Sequence, residues 1–249
     1  MLSILKSIYL KGLEGILVNV EVDVAKGLTA WDTVGLPDES VKESKERVKT
    51  AVRNSGFELT TKRVVINLAP ADVKKGGAYF DLPIALWAIL SSAEDGAERI
   101  DRQELLTTAF VGELSLDGKL NKISGILPIC IEARKLGIKR IVIPLDNLEE
   151  VCVIDGIEVY GAQNLRKVFL FLVDEERFPL VKNERGRDYW NELVTQSEQL
   201  AIDFSEVKGQ ENIKRAMEIA AAGCHNILLI GSPGARKNNA GKEVADNFT

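Results

Sequence analysis

Residues Gly231 to Asn238 read Gly-Ser-Pro-Gly-Ala-Arg-Lys-Asn and follow an apolar run, Ile227 to Ile230. A phosphate-binding loop of the Walker A type needs G-x-x-x-x-G-K-[ST]. Its glycines let backbone N–H groups wrap the phosphates, its lysine reaches the outer phosphates, and its hydroxyl holds Mg²⁺. Gly231, Pro233, Gly234 and Lys237 are in register with that pattern, with Ser232 and Ala235 at variable positions. Arg236 stands at the second obligatory glycine and Asn238 at the Mg²⁺-binding hydroxyl. Arginine brings a Cβ and a long side chain to a place where the backbone must approach phosphate. Asparagine offers a carbonyl in place of the hydroxyl. The expectation is a degenerate loop that binds no nucleotide tightly.

A second place where chemistry is conceivable is Lys74-Lys75-Gly76-Gly77. Adjacent lysines on a glycine turn can meet phosphates, so Lys74 and Lys75 are candidate contacts to DNA or a partner. The alternative is a solvated turn whose glycines permit positive φ. Lys42, Lys45, Lys49 and Arg53 recur at helical spacing, but Glu39, Glu43 and Glu46 interleave with them, which favours a self-paired face. Three cysteines, Cys130, Cys152 and Cys224, lie far apart, and His225 is the one histidine, so neither a metal site nor a disulfide framework is expected. His225 is read as packing or hydrogen-bonding locally.

The elements that must position these residues are legible from periodicity. Ile4–Leu10, Ile16–Val24 and Leu28–Val34 alternate as strands between glycine turns, which predicts an antiparallel start. Asp38–Asn54 places Val41, Val48, Ala51 and Val52 on one face and closes at Gly56, which predicts an amphipathic helix. Arg63–Leu68 reads as a buried strand and Asp81–Ser91 as a strongly apolar helix with Asp81 as its cap. Asp117-Gly118 between Ala109–Ser115 and Lys119–Lys122 signals a hairpin. Helices at Ile126–Leu136, Asn147–Cys152 and Leu165–Leu172 alternate with strands at Arg140–Pro144 and Ile157–Tyr160, so helices should layer on a sheet.

More than half of residues 174–192 are charged, which reads as an exposed connector; its Tyr189-Trp190 is either a partner spot or a pair pinning the connector to the domain. Asp203 opens a new unit, with a helix at Glu211–Ala222 and a strand at Asn226–Ile230 leading into the glycine loop. The boundaries expected are a first domain at 1–173, a linker at 174–202 and a second unit at 203–249.

Val34 to Val52 (VGLPDESVKESKERVKTAV), Asn67 to Leu82 (NLAPADVKKGGAYFDL) and Asp203 to Gly234 (DFSEVKGQENIKRAMEIAAAGCHNILLIGSPG) together resemble the magnesium-chelatase-like AAA+ ATPases of the YifB and ComM competence-protein family, up to about residue 236. The resemblance implies an α/β fold of α+β layers. Its first domain would be similar to ribosomal S5 domain 2 and to the Lon protease domain, followed by a P-loop AAA+ motor that is here incomplete. It further implies ATP and Mg²⁺ as cofactors of intact relatives, DNA as partner, a hexameric homo-oligomer, and an ATP-driven helicase role in natural transformation and recombination. Val207, Lys208, Gly209 and Gln210 match the family loop near the adenine.

Two departures set the expectation for this chain itself. The sequence carries no second Walker carboxylate and no arginine finger, on which phosphoryl transfer depends. A truncation or frameshift near codon 236 is the expected origin, and a chain without ATPase activity the expected result. Kinship with Lon raises a peptidase reading, but Lys75–Asp81 contains no Ser, Thr or Cys, and the position of the partnering lysine falls near Leu127. The remaining alternative is a DNA- or protein-binding module that works without ATP.

The 249 residues are 45% hydrophobic with a net charge of −5, which supports a buried core and no global basic field. No apolar run is long enough to span a bilayer and no signal peptide is recognisable, so the expected location is cytoplasmic, away from membranes.

Overall fold

Strict alternation from Ile16 to Val24 builds a long hairpin. β1 (Ser3–Lys11) pairs antiparallel with β2 (Glu14–Ala25), in a register running from Ser3 opposite Val22 to Lys11 opposite Glu14. The computed structural model describes residues 3–12, 14–25, 30–59, 63–92, 100–183, 209–223 and 225–228. The chain divides into two compact units, residues 1–186 and 187–249.

In the first unit β3 (Ala30–Val34) does not continue the antiparallel run. It pairs parallel with β4 (Arg63–Ala69), and β4 takes the place beside β2. The helix α1 (Glu39–Asn54) lies between β3 and β4 in sequence, and such a crossover joins parallel strands. β4 wins the inner position because Val64, Ile66 and Leu68 are all buried, whereas β3 buries Trp31 alone among its large apolar residues. β3 is left at the edge.

The sheet grows in the other direction through parallel strands. β5 (Thr108–Phe110), β8 (Arg140–Pro144) and β9 (Glu158–Ala162) add in turn to β1, and with β10 (Val181–Lys182) at the end the order is β10-β9-β8-β5-β1-β2-β4-β3. The fold is therefore mixed α/β with helices on both faces. One face carries α1, α2 (Asp81–Ser92) and α5 (Leu165–Val173) over Leu5, Val18, Val20, Val22, Ile66 and Leu68. The other carries α4 (Ile126–Lys135) and a 3-10 helix (Leu145–Val151) over Ile8, Ala109, Ile141 and Val159. From Asp81 to Ile89 every residue of α2 is buried, as expected of a helix apolar all round and enclosed between sheet and neighbouring helices.

The predicted hairpin forms around Asp117-Gly118, with Gly118 at φ +84°, but its strands β6 (Glu113–Leu114) and β7 (Leu120–Asn121) form a separate two-stranded ribbon. β5 ends early because Gly112 leaves the sheet to bond the head of α2: its N–H donates to Tyr79 O and its carbonyl accepts from Leu82 N–H. A short helix, α3 (Arg102–Leu105), leads into β5.

Of the connector expected from residue 174, Val181 and Lys182 form a strand of this sheet. β10 (Val181–Lys182) pairs antiparallel with β9, and Leu180 is buried. Two of the connector's charges are partnered to the sheet: Glu175 meets Arg140 at 3.1 Å and Lys182 meets Glu158 at 2.5 Å. Tyr189-Trp190 lies outside the described residues.

The second unit contributes α6 (Glu211–Ala222), with the predicted bounds, burying Met217 and Ala220. His225 N–H donates to Ala220 O at 2.7 Å and closes the helix. Asn226 to Leu228, expected to begin a strand, have no regular structure, and Leu228 is 82% exposed. A strand exists only by pairing, and the described residues offer these none. Leu229 and Ile230 lie outside the described residues.

Candidate functional site

The glycine turn before α2 is where the sequence placed candidate contacts, and the structure separates its two lysines. Pro37 and Lys75 form an isolated parallel bridge, with Lys75 N–H donating to Leu36 O at 3.2 Å and Asp38 N–H to Lys75 O at 2.9 Å. In extended chain, neighbours point to opposite sides. Lys74 is exposed, while Lys75 is fully buried. Its Nζ donates to Gly35 O at 3.0 Å, to Val73 O at 2.9 Å and to Pro70 O. Burial pushes its pKa below the ordinary lysine value, with Asp72 opposing. Lys75 as a contact to DNA or a partner is thereby corrected: its ammonium is consumed by three backbone carbonyls.

The same turn is fastened to the head of α1. Asp38 caps that helix through Val41 N–H at 3.0 Å, Ser40 Oγ donates to Asp38 at 2.6 Å, and Gly77 N–H donates to Ser40 Oγ at 2.8 Å. A Cβ on Gly76 would stand 2.3 Å from the Asp38 carboxylate, so the contact requires glycine. Across from it Gly35 adopts φ +93° and Leu36 φ +54°, with the Leu36 side chain 53% exposed. A left-handed leucine is a strained conformation, here held by bonds on both sides.

Asp81 is not the cap of α2. The helix begins at Asp81 itself, with Ile84 N–H bonding Phe80 O, so the carboxylate lies one residue past the cap and turns inward. There it accepts two bonds from Arg47, at 2.6 and 3.1 Å, and one from Leu114 N–H at 3.1 Å. Burial pushes its pKa up to about 6, against the opposing attraction of Arg47 and the Leu114 amide. The pair ties α1, α2 and the β6–β7 ribbon at one point.

None of this supplies a peptidase nucleophile. The turn has no Ser, Thr or Cys, the Ser40 hydroxyl is bound to Asp38 and Gly77, and Leu127 packs against the second core cluster. Cys130 and Cys152 are buried, and burial pushes the Cys130 thiol up to about 12. Among the described residues no group of three or more His, Cys, Asp or Glu could hold a metal ion.

A cluster the sequence did not signal centres on Arg140. Its guanidinium meets Glu104, Glu158 at 2.8 Å and Glu175 at 3.1 Å, and lies 5.7 Å from the Tyr160 ring centroid. Burial disfavours its charge, but Glu158 and Glu175 hold its pKa above the ordinary value. The partners come from α3, β9 and the turn after α5, so no local spacing could have announced them.

Of the nucleotide-side residues, Gly209 (φ +75°) and Gln210 (φ +64°) form a left-handed pair at the start of α6. Val207, Lys208 and the loop from Gly231 to Asn238 lie outside the described residues. No described helix is long and apolar enough to cross a membrane.

The family model described as Subunit ChlI of Mg-chelatase matches residues 20–147, and that described as Magnesium chelatase, subunit ChlI, matches residues 203–246. The second match runs past residue 236, where the sequence reading ended the resemblance. Within it Gly241-Lys242 is a second glycine–lysine pair, followed by Glu243 where a hydroxyl is needed and placed too late for Gly231. Uncharacterized protein YifB of Escherichia coli (strain K12) is 41% identical over 220 residues, 88% of this chain and 40% of that protein. Competence protein ComM of Haemophilus influenzae is 36% identical over 226 residues, 91% of this chain and 42% of that protein. Lon protease 2 of Bacillus subtilis is 27% identical over 171 residues, 62% of this chain and 30% of that protein. The chain spans about two fifths of the length of the first two relatives.

Proposed function

The chain belongs to the family of subunit ChlI of Mg-chelatase, and from that premise we propose that its first unit is the accessory domain of an ATP-driven, DNA-handling AAA+ protein of the ComM and YifB kind. In this reading the second unit is the start of the motor. The observation that carries it is the colinear order of the two matches, residues 20–147 and then 203–246, with close relatives aligned across nearly the whole chain. The DNA role comes from the competence relative. ATP and Mg²⁺ would belong to the intact assembly, a hexamer, with Val207–Gln210 near the adenine and Gly231–Asn238 near the phosphates. Cytoplasmic location follows from that role.

This segment by itself is proposed to lack ATPase activity. Arg236 and Asn238 replace the glycine and hydroxyl of the phosphate loop, and neither Lys237 nor Lys242 completes the pattern. Calorimetry tests it: the chain binds MgATP no more tightly than millimolar, and micromolar affinity sinks the proposal. Fused to the complete motor of a relative, this chain with Arg236→Gly and Asn238→Thr is expected to hydrolyse ATP, whereas the unrepaired fusion does not.

One observation also favours a module that works without ATP: the first unit has its own two-sided core and its own hydrogen-bonded sheet. Salt-dependent binding of single- and double-stranded DNA, read with Lys74→Ala, separates that reading from a purely architectural domain.

A further inference from the structure

Along the outer edge of the sheet, the 3-10 helix and β10 enclose an open trough of about 590 Å³. Its floor is apolar: Leu145, Leu148, buried Cys152 and Val181, the last 53% exposed. Val181 stands opposite Gly161, which presents no side chain to it. A Cβ on Gly161 would stand 2.9 Å from a Leu145 methyl, so the absent side chain lets the leucines close beneath β10.

Along one wall of the trough, backbone groups have no partner among the described residues. Asn183 N–H donates to Val159 O at 2.8 Å, continuing the register that sets Val181 opposite Gly161 and Lys182 opposite Tyr160. In an antiparallel ladder bonded and non-bonded pairs alternate, so the Lys182 N–H and C=O turn away from β9 toward the open side. β10 is the edge strand at this end of the sheet. An edge with outward backbone groups is a template for another strand.

The lip of the trough is acidic, and its charges are unspent. Asp146 and Glu149 are exposed at its rim, with no described ion pair or side-chain hydrogen bond. The cation at the same rim is already engaged, since Lys182 Nζ pairs with Glu158 at 2.5 Å. Asn183 Nδ2 is likewise taken, by Val151 O at 2.8 Å. Among the described residues, what remains for an occupant is an apolar surface of Leu145, Leu148 and Val181, one outward backbone pair and two carboxylates without an ion pair. Nucleic acid phosphates would meet those carboxylates with the wrong sign.

We infer that this trough is a docking site for an extended protein segment that adds a strand beside β10, places apolar side chains on Leu148 and Val181, and presents lysine or arginine to Asp146 and Glu149. Backbone bonding at the edge gives affinity and the alternating side chains give selectivity, as in other strand-addition modes. The inference is independent of ATP binding and of any DNA surface, and it assigns this edge to protein.

The probe is a fluorescein-labelled peptide repeating Val-Thr-Lys-Thr, which sets valine and lysine on one face of an extended strand, titrated into the full chain by fluorescence anisotropy. Expected is saturable binding, weakened by about tenfold in the Asp146→Lys, Glu149→Lys variant and unchanged in Glu39→Lys, Glu43→Lys, which alters net charge equally on α1. A peptide with glutamate for lysine does not bind. Amide exchange on the unmodified chain provides a reading that no variant can confound: the peptide slows exchange at Lys182. The inference is overturned by absence of saturation, by equal loss in both charge-reversed variants, by protection mapped away from Val181–Asn183, or by full protection of Lys182 without peptide.

Discussion

Arg47 on α1 and Asp81 at the head of α2, 34 residues apart, meet through two hydrogen bonds of 2.6 and 3.1 Å, and the carboxylate that receives them is fully buried. The partners differ in solvation: Arg47 keeps 26% of its side chain in water, Asp81 none. Removing the arginine therefore strands a carboxylate, whereas removing both charges strands much less. Arg47→Met is expected to lower unfolding free energy by about 3–5 kcal/mol, and Arg47→Met with Asp81→Leu to recover a large part of it. Urea titrations of the variants measure both; a loss under about 1 kcal/mol in the single variant would contradict the role given to this pair.

The same carboxyl gives stability a pH dependence of definite sign. Its folded pKa of about 6 lies above the ordinary 3.8, so its contribution is fully present below about pH 3.8 and is lost as pH rises through about 6. From this group alone, stability falls by about 3 kcal/mol at most between pH 4 and pH 7. In Asp81→Asn that part of the slope disappears. Unfolding free energies measured across the interval for both proteins test it, and identical slopes would refute the assignment.

Lys75 and its neighbour should behave as opposites. Lys75→Met leaves the carbonyls of Gly35, Pro70 and Val73 without their donor and is expected to destabilise by about 2–4 kcal/mol. Lys74→Ala, at an exposed position, is expected to stay within about 0.5 kcal/mol. Thermal melts decide between this and the equal sensitivity expected of two surface lysines.

Gly35 and Leu36 make a matched pair of backbone tests. Gly35→Ala places a Cβ 2.3 Å from Leu68 O at φ +93° and is expected to cost more than about 2 kcal/mol. Leu36→Gly relieves a left-handed residue whose side chain is half in water, and is expected to change stability by less than about 1 kcal/mol. A large loss in Leu36→Gly would mean that the leucine packs more than its exposure indicates.

Much of the element sequence was legible because local pattern settles it. The apolar face of α1, the periodicity of Glu211–Ala222 and the alternation of β2 appear as read, with Asp38 capping α1 from outside instead of opening it. What was not legible depends on distant partners. The place of β3 beside β4 was decided by which strand brought more buried apolar surface to β2. Asp81 reads locally as a cap, and only Arg47 and the Leu114 amide, neither near it in sequence, show otherwise. Lys74 and Lys75 are chemically identical in sequence, and the bridge to Pro37 alone distinguishes them. The Arg140 cluster draws carboxylates from positions 104, 158 and 175, a spacing with no period. On the nucleotide side the informative residues were the departures, Arg236 and Asn238, since a motif's failures can be read without knowing its geometry.

β1 sits in the middle of the sheet, with β2 on one side and β5 on the other, and these neighbours arrive at very different times during synthesis. Residues 3–92 supply β1 through β4 with α1 and α2, enough to assemble half the sheet before Thr108–Phe110 has left the ribosome. Until then one flank of β1 is an open edge carrying Leu5 and Ile8, both destined for full burial. The nascent chain thus passes through a stage in which its best-paired strand is also its stickiest.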